Sequence, residues 1–332
     1  MKKYNVVDTY VDTLGIRCEC NSKEERDYLF NDIVYFISNA GIAGVVYDQE
    51  RSTKYYQITK LQYANSTLAT ISKGYFENNT NGYKMEYFYI NINFYGLMRY
   101  SKIKDDASQL LLRTISAYLN STHVDFRLTE LDIAMDIRSK IDNILAVCIR
   151  QSANVDYYQL GDINEFGQAI QDDKGTYNIE KFTSYKKRKN AMSRAYLYDK
   201  RLKELKKFKR NIGFELTRFE VKLQKRYFVK NEYCTGIMYK KLDKYAVLLF
   251  KDAKQKEIII QKCNDTNSSK KRREIIEEAL NNDDATLLRP RMDKVGSFLR
   301  EIDTIKFDNN MDFLYTKQED YLYSRSKFNR KY

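Results

Sequence analysis

The sequence predicts an α+β fold built on an antiparallel sheet, from three observations. Over Met85–Tyr95, Phe88, Ile90, Ile92 and Phe94 alternate with Tyr87, Tyr89, Asn91 and Asn93, the period of a strand with one buried face. Helical apolar stripes interrupt such runs instead of replacing them. Neighbouring β-type runs are joined by a tight polar turn at Asn78–Gly82, and no period of 20–50 residues repeats.

Taken in order, Val6–Glu19 has a strand composition. Ser22 and Glu25 then stand at capping-box spacing ahead of a stripe of Leu29, Ile33, Phe36 and Ile37, which predicts a helix. Short β-type runs follow at Gly44–Tyr47, Tyr55–Thr59 and Thr67–Phe76. Leu110, Leu111, Ile115 and Leu119 place a helix over about Asp105–Asn120, followed by a strand over about Val124–Ile137. A helix near Ile141–Arg150 and a polar loop through Asp173 come next. Beyond them lie a strand at Arg194–Tyr198, a helix over about Lys200–Lys209 and a strand at Glu215–Lys225. After about Tyr233 the chain reads as lysine-rich and mostly helical, with helices near Lys270–Asn281 (capped by Ser268 or Ser269) and Asp293–Ile302. The expected organisation is an α+β region over 1–233 and a smaller, mainly helical region over 234–332.

Composition narrows the function. The 332 residues are 43% hydrophobic and 31% charged, enough to bury a core and unlike a disordered chain. No apolar run approaches the roughly 18–20 residues of a membrane span, and no apolar stretch follows Lys2 and Lys3 as a signal peptide requires, so a soluble cytoplasmic protein is expected. The single histidine, His123, removes two-histidine metal motifs. Five cysteines without a CxxC pair read as reduced thiols, and no Walker-type or dinucleotide-binding glycine motif occurs.

The net charge of +13 is concentrated. Between Lys181 and Glu232 stand 18 of the 58 basic residues and only 5 of the 45 acidic ones, which leaves 40 of each sign elsewhere. Phe182, Tyr185, Tyr196, Tyr198, Phe208 and Tyr227 are interleaved with those cations. Cations for phosphates and aromatic faces for unstacked bases point to nucleic acid as the partner.

Three segments carry candidate chemistry. In Phe126–Asp136, Leu131, Ile133 and Met135 share one strand face, and Glu130, Asp132 and Asp136 share the other. Such an oxygen-only set suits Mg²⁺ or Mn²⁺. In Ser193–Lys200, Tyr198 lies close to a helix N-terminus and several lysines, an environment that favours the nucleophilic phenolate. In Thr217–Leu223, Arg218, Glu220 and Lys222 alternate with Phe219, Val221 and Leu223, either a salt-bridge ladder or a metal carboxylate flanked by phosphate-binding cations.

The order Leu-Thr-Glu-Leu-Asp-Ile-Ala-Met-Asp, Tyr-Leu-Tyr-Asp-Lys, Arg-Phe-Glu-Val-Lys-Leu resembles the Rep_trans family of rolling-circle plasmid replication initiators and conjugative-element relaxases, over roughly Phe126–Leu223. The resemblance implies a metal-dependent DNA nicking-closing endonuclease with Tyr198 as nucleophile. It aligns Asp132 and Glu220 with metal ligands, Asp136 with a second aspartate, and Arg218 and Lys200 with phosphate-binding positions. Two positions depart from the pattern: Glu130 stands where the family usually has Arg or Lys, and Lys222 where it often has an acid. Glu130 is therefore a substitute ligand.

The expectation is a replication initiation protein that forms a 5′-phosphotyrosine at an origin, using Mg²⁺ or Mn²⁺. Arg194, Lys200, Arg218, Lys222, Lys186, Lys187 and Arg188 are the expected DNA contacts. Origin duplex and single strand are the expected partners, with a host helicase and a second copy of the chain as further ones and no membrane. Lys270–Arg273 is assigned to origin or helicase binding. The rivals are a conjugative relaxase with the same chemistry, a binder that has lost cutting, and a non-catalytic DNA-binding protein.

Overall fold

A computed structural model describes residues 6–53, 56–64, 66–80, 83–97, 102–124, 126–148, 176–179, 193–224, 245–266 and 268–290, with Phe228 and Val295. The Lys186–Arg188 run, the polar loop through Asp173, the boundary near Tyr233 and most of the helix expected at Asp293–Ile302 lie outside the described residues.

The chain forms a mixed α+β structure around a nine-stranded sheet of order β2-β3-β4-β5-β1-β6-β10-β9-β8, antiparallel at every pairing. These strands are β1 Val6–Cys20, β2 Gly44–Tyr47, β3 Tyr56–Tyr63, β4 Ser66–Thr80, β5 Tyr83–Tyr95, β6 Phe126–Ile137, β8 Thr176–Asn178, β9 Ser193–Asp199 and β10 Thr217–Leu223. The first strand of the chain is thus the middle of the sheet. It bonds β5 on one side and β6 on the other, so neither of its edges is free.

Helices α1 (Lys23–Asn39) and α2 (Lys102–Ser121) cover one face of the β1–β5–β4 half. Their stripes, Leu29, Phe30, Ile33 and Ile37 with Leu111, Leu112, Ile115 and Leu119, share a buried core with Ile71, Ile90, Ile92 and Phe94. The α1 start follows the capping signal: Glu25 N–H donates to Ser22 Oγ at 3.1 Å, and the Glu25 carboxylate accepts from Asn21 N–H at 2.7 Å. Ser22→Ala is expected to lower stability by about 1 kcal/mol in chemical denaturation, with no effect on the distant polar face described below.

One expectation is corrected. The segment expected as a helix near Ile141–Arg150 is a 3₁₀ turn at Ile141–Asn143 followed by strand β7, Ile144–Cys148. Its short apolar run fits a buried strand as well as a helix, and pairing with a distant strand decides. That partner is β11 (Tyr245–Phe250), which also pairs β12 (Ala285–Leu288) to give a second, three-stranded sheet. The described part of the chain beyond residue 245 therefore mixes two strands with two helices, α4 (Ala253–Asn264) and α5 (Ser269–Asn281). Ser268 is the N-cap of α5, accepting from Lys271 N–H.

The small sheet is buried on both faces, which explains its unbroken apolar run. Ile144, Ala146, Tyr245 and Val247 join the core of the large sheet, where Tyr245 meets Phe219 edge-on at 6.0 Å. Leu145, Leu248 and Phe250 pack on the other side with Ile259, Cys263, Ile276 and Ala279 of α4 and α5. Among the described residues no helix is long and apolar enough to cross a membrane.

Candidate active site

Directly opposed residues of neighbouring strands share a face, so the register of β6, β10 and β9 aligns the three sequence segments. Three rungs result: Asp136–Arg218–Tyr198, Ala134–Glu220–Tyr196 and Asp132–Lys222–Arg194. On the opposite face Met135, Phe219 and Leu197, then Ile133, Val221 and Ala195, form the core side. The alternation in each strand thus separates a core face from a polar face, and among the described residues the polar face carries every candidate except Lys200.

Tyr198 is the last β9 residue before Asp199, which caps helix α3 (Lys200–Phe208) by accepting from Leu202 N–H at 2.8 Å. The phenol is buried, 3% exposed, and donates to Glu220 Oε2 at 2.9 Å. Lys203 of α3 places its ammonium 3.9 Å from the ring centroid. Burial, reinforced by the Glu220 charge, pushes the phenol well above its ordinary pKa, and Arg218 pulls the other way without reversing it. The expected stabilised phenolate is corrected: in this structure Tyr198 is a neutral hydroxyl with a carboxylate placed to take its proton.

Arg218 and Asp136 form the deepest part of the face, both 0% exposed. Arg218 Nε and Nη2 donate to Asp136 Oδ1 and Oδ2 at 2.7 and 3.1 Å, a two-pronged pair. Tyr10 accepts from Arg218 Nη2 at 2.6 Å and donates to Asp136, while Asp12 lies 3.2 Å from Arg218 Nη1. Arg218 is thereby held well above its ordinary pKa: burial alone would lower it, and Asp136, Tyr198, Tyr10 and Asp12 together outweigh burial. Asp136 is consequently an arginine anchor and not an open ligand, and Arg218 is bound inside the protein and not presented to DNA.

Lys222 lies between Glu130, with which it forms a close ion pair, and Asp132, whose Oδ2 is 3.4 Å from its ammonium. The two departures from the family pattern are thus each other's partners across the strands, with the usual signs exchanged. Burial alone would lower the Lys222 ammonium, but Asp132 and Glu130 hold it above its ordinary value. Burial pushes the Asp132 carboxyl well up, with Glu220, Glu130 and Asp12 adding to it and Lys222 opposing.

No sequence pattern marks Asp12 or Tyr10 as part of this face. Val11 opposes Ile133 and Thr13 opposes Asp132, so Asp12 is the extra residue of a bulge, a device that re-aims a side chain out of strand alternation. A β-run holding two aspartates, Asp8 and Asp12, among apolar residues and threonines is the signal the sequence offers.

The remaining candidates sort differently. Lys200 is 2% exposed and bound 2.8 Å from Glu204, itself 0% exposed and also paired with Arg210, so it braces α3 and does not face DNA. Charge counting registers its sign but not its burial. Arg194 is half-buried and donates to Gln224 at 3.2 Å.

As arranged, the carboxylates do not fit a divalent ion. Glu130 and Asp132 Oδ2 face Lys222, Asp136 holds Arg218, and Glu220 accepts from Tyr198. One oxygen, Asp132 Oδ1, is buried and accepts no hydrogen bond among the described residues. A hard divalent cation needs several oxygens converging at once, and no such group of three or more His, Cys, Asp or Glu side chains occurs among the described residues.

No known family's sequence model matches the chain, and no curated protein matches it. Among solved structures it is similar to a rolling circle replication initiator protein from Geobacillus stearothermophilus, at 14% identity and a TM-score of 0.35, over 73% of this chain and 86% of that one.

Proposed function

We propose that the protein nicks and rejoins DNA through Tyr198 and thereby starts rolling-circle replication. The observation that carries the reading is the Tyr198–Glu220 hydrogen bond at 2.9 Å on a face where residues 132, 198 and 220, far apart in the chain, are brought onto three adjacent strands. A nucleophile, a base and a cation on rigid strands is the arrangement that tyrosine transesterification requires.

In the proposed step the phenolic proton moves to Glu220 as Tyr198 Oη bonds to the phosphorus of a DNA phosphodiester. The bond from phosphorus to the 3′ oxygen breaks, and the proton passes from Glu220 to that oxygen. The products are a 5′-phosphotyrosine and a 3′-hydroxyl able to prime synthesis. Phosphodiester energy is conserved in the tyrosine ester, so rejoining needs no nucleotide. Arg218 lowers the energy of the phenolate from inside the protein, and Lys203 offers a positive charge on the Tyr198 ring where the phosphate arrives. The strand must be unpaired for its phosphodiester to reach a buried hydroxyl.

The test is incubation of the full chain with supercoiled and single-stranded DNA from the gene's own flanking region, with and without Mg²⁺ or Mn²⁺. A covalent protein–DNA adduct is expected with the wild type and none with Tyr198→Phe, a loss of at least about 10³-fold. An adduct that persists in Tyr198→Phe moves the nucleophile to another tyrosine. Salt-sensitive binding with no adduct in either protein supports a DNA-binding protein that does not cut.

A further inference from the structure

The position of Lys222 is set by backbone pairing. It stands directly opposite Asp132 on the polar face, and Glu130 lies diagonally beyond on the same strand. Its ammonium touches both carboxylates, and the side chains are largely withdrawn from water: 26% exposed for Lys222, 29% for Glu130 and 7% for Asp132. A lysine on a surface salt bridge swings freely, whereas one pinned between two carboxylates on a sheet is a fixed point charge. It neutralises the same oxygens that a hard divalent cation would claim. Any ion entering between Glu130 and Asp132 must first expel an ammonium already at contact distance.

Building on the reading of this face as a tyrosine transesterification site, we propose that the Lys222 ammonium is the resident cation of the Glu130–Asp132 pair, holding the place these carboxylates would otherwise offer to a divalent metal ion. It follows that Lys222 supplies there the fixed positive charge that a metal supplies elsewhere, next to the rung that carries Glu220. Removing the ammonium while keeping the carboxylates leaves a two-acid site in which one oxygen, Asp132 Oδ1, is buried and accepts no hydrogen bond among the described residues.

The experiment is a Mn²⁺ titration of the full chain, followed by the electron paramagnetic resonance of free Mn²⁺ and by calorimetry, on wild type, Lys222→Met, Lys222→Arg, Asp132→Asn and Lys222→Met/Asp132→Asn. Wild type and Lys222→Arg are expected to show no saturable Mn²⁺ site that depends on Asp132. Lys222→Met is expected to gain one, with affinity raised at least about tenfold, and to lose it in the double variant. Wild-type Mn²⁺ binding that Asp132→Asn abolishes overturns the proposal, as does a Lys222→Met protein that folds and binds no more Mn²⁺ than wild type. Should Lys222→Met fail to fold, the comparison of wild type with Asp132→Asn still decides. Adduct formation by wild type in EDTA supports the proposal, and an adduct that requires Mn²⁺ opposes it. Absence of any adduct under all conditions counts against the Tyr198 reading alone, and the Mn²⁺ titration then decides the role of Lys222.

Discussion

Arg218→Met is expected to destabilise the protein by about 3–5 kcal/mol in chemical denaturation, the largest effect of any single change on the polar face. Methionine fills a similar volume, so the effect is electrostatic. It leaves Asp136, 0% exposed, without the two-pronged guanidinium that balances its charge, and it removes a hydrogen bond from Tyr10. Asp136→Asn added to Arg218→Met is expected to recover a substantial part of the loss, since a neutral amide needs no counter-charge. Arg218→Lys is expected to recover little, because an ammonium cannot make the two-pronged pair at 2.7 and 3.1 Å and reach Tyr10 as well. Equal losses for Arg218→Met and the double variant would show that the pair contributes nothing beyond packing.

Glu220→Gln is expected to slow adduct formation by about 10²–10⁴-fold while leaving stability within about 1 kcal/mol of wild type. The amide keeps the size of the side chain and still accepts a hydrogen bond from Tyr198, but it cannot take the phenolic proton. Since burial and Glu220 hold that phenol above its ordinary pKa, no useful fraction ionises unaided near neutral pH. The variant rate should therefore climb with pH across the alkaline range as hydroxide replaces the missing base. Wild type should be less steep. DNA affinity and its salt dependence, measured in parallel, are expected to stay unchanged. A Glu220→Gln protein as fast as wild type would remove the carboxylate from the chemistry.

The elements that alternation or capping specify were legible in the sequence, and those that depend on distant partners were not. Phe126–Ile137 and Thr217–Leu223 each show one apolar and one charged face, and both faces stand as read. Ser22 announces α1 because capping is local chemistry. By contrast, Ile144–Cys148 becomes a strand only through β11, about a hundred residues later in the chain, and no local pattern carries that fact. The same limit applied to the site. Alternation put Asp132 with Asp136 on one face of their strand and Arg218 with Glu220 on one face of theirs, but could not say who pairs with whom. Asp136 and Glu130 look alike in the sequence, yet one grips an arginine in the interior and the other meets a lysine near the surface. Asp12 escaped because a bulge breaks the alternation by which strand residues are assigned to faces.

The central place of β1 has a kinetic consequence. Strands β2 to β5 form a meander whose neighbours in the sheet are neighbours in the chain, and β1 closes onto β5 across one helix and that meander. The other half is assembled from remote pieces: β6 meets β10 through residues 82 apart, and Arg218 reaches back 208 residues to Tyr10. Folding slows as such separations grow, because loop entropy is lost before any contact compensates for it. On the ribosome β1 can join the meander early, leaving its second edge open until residue 137 has emerged and β6 can cover it. The β9–β10 ladder that carries the tyrosine waits longer still, for residue 223. Within the nine-stranded sheet the Tyr198 ladder is therefore assembled last, onto a half that already stands.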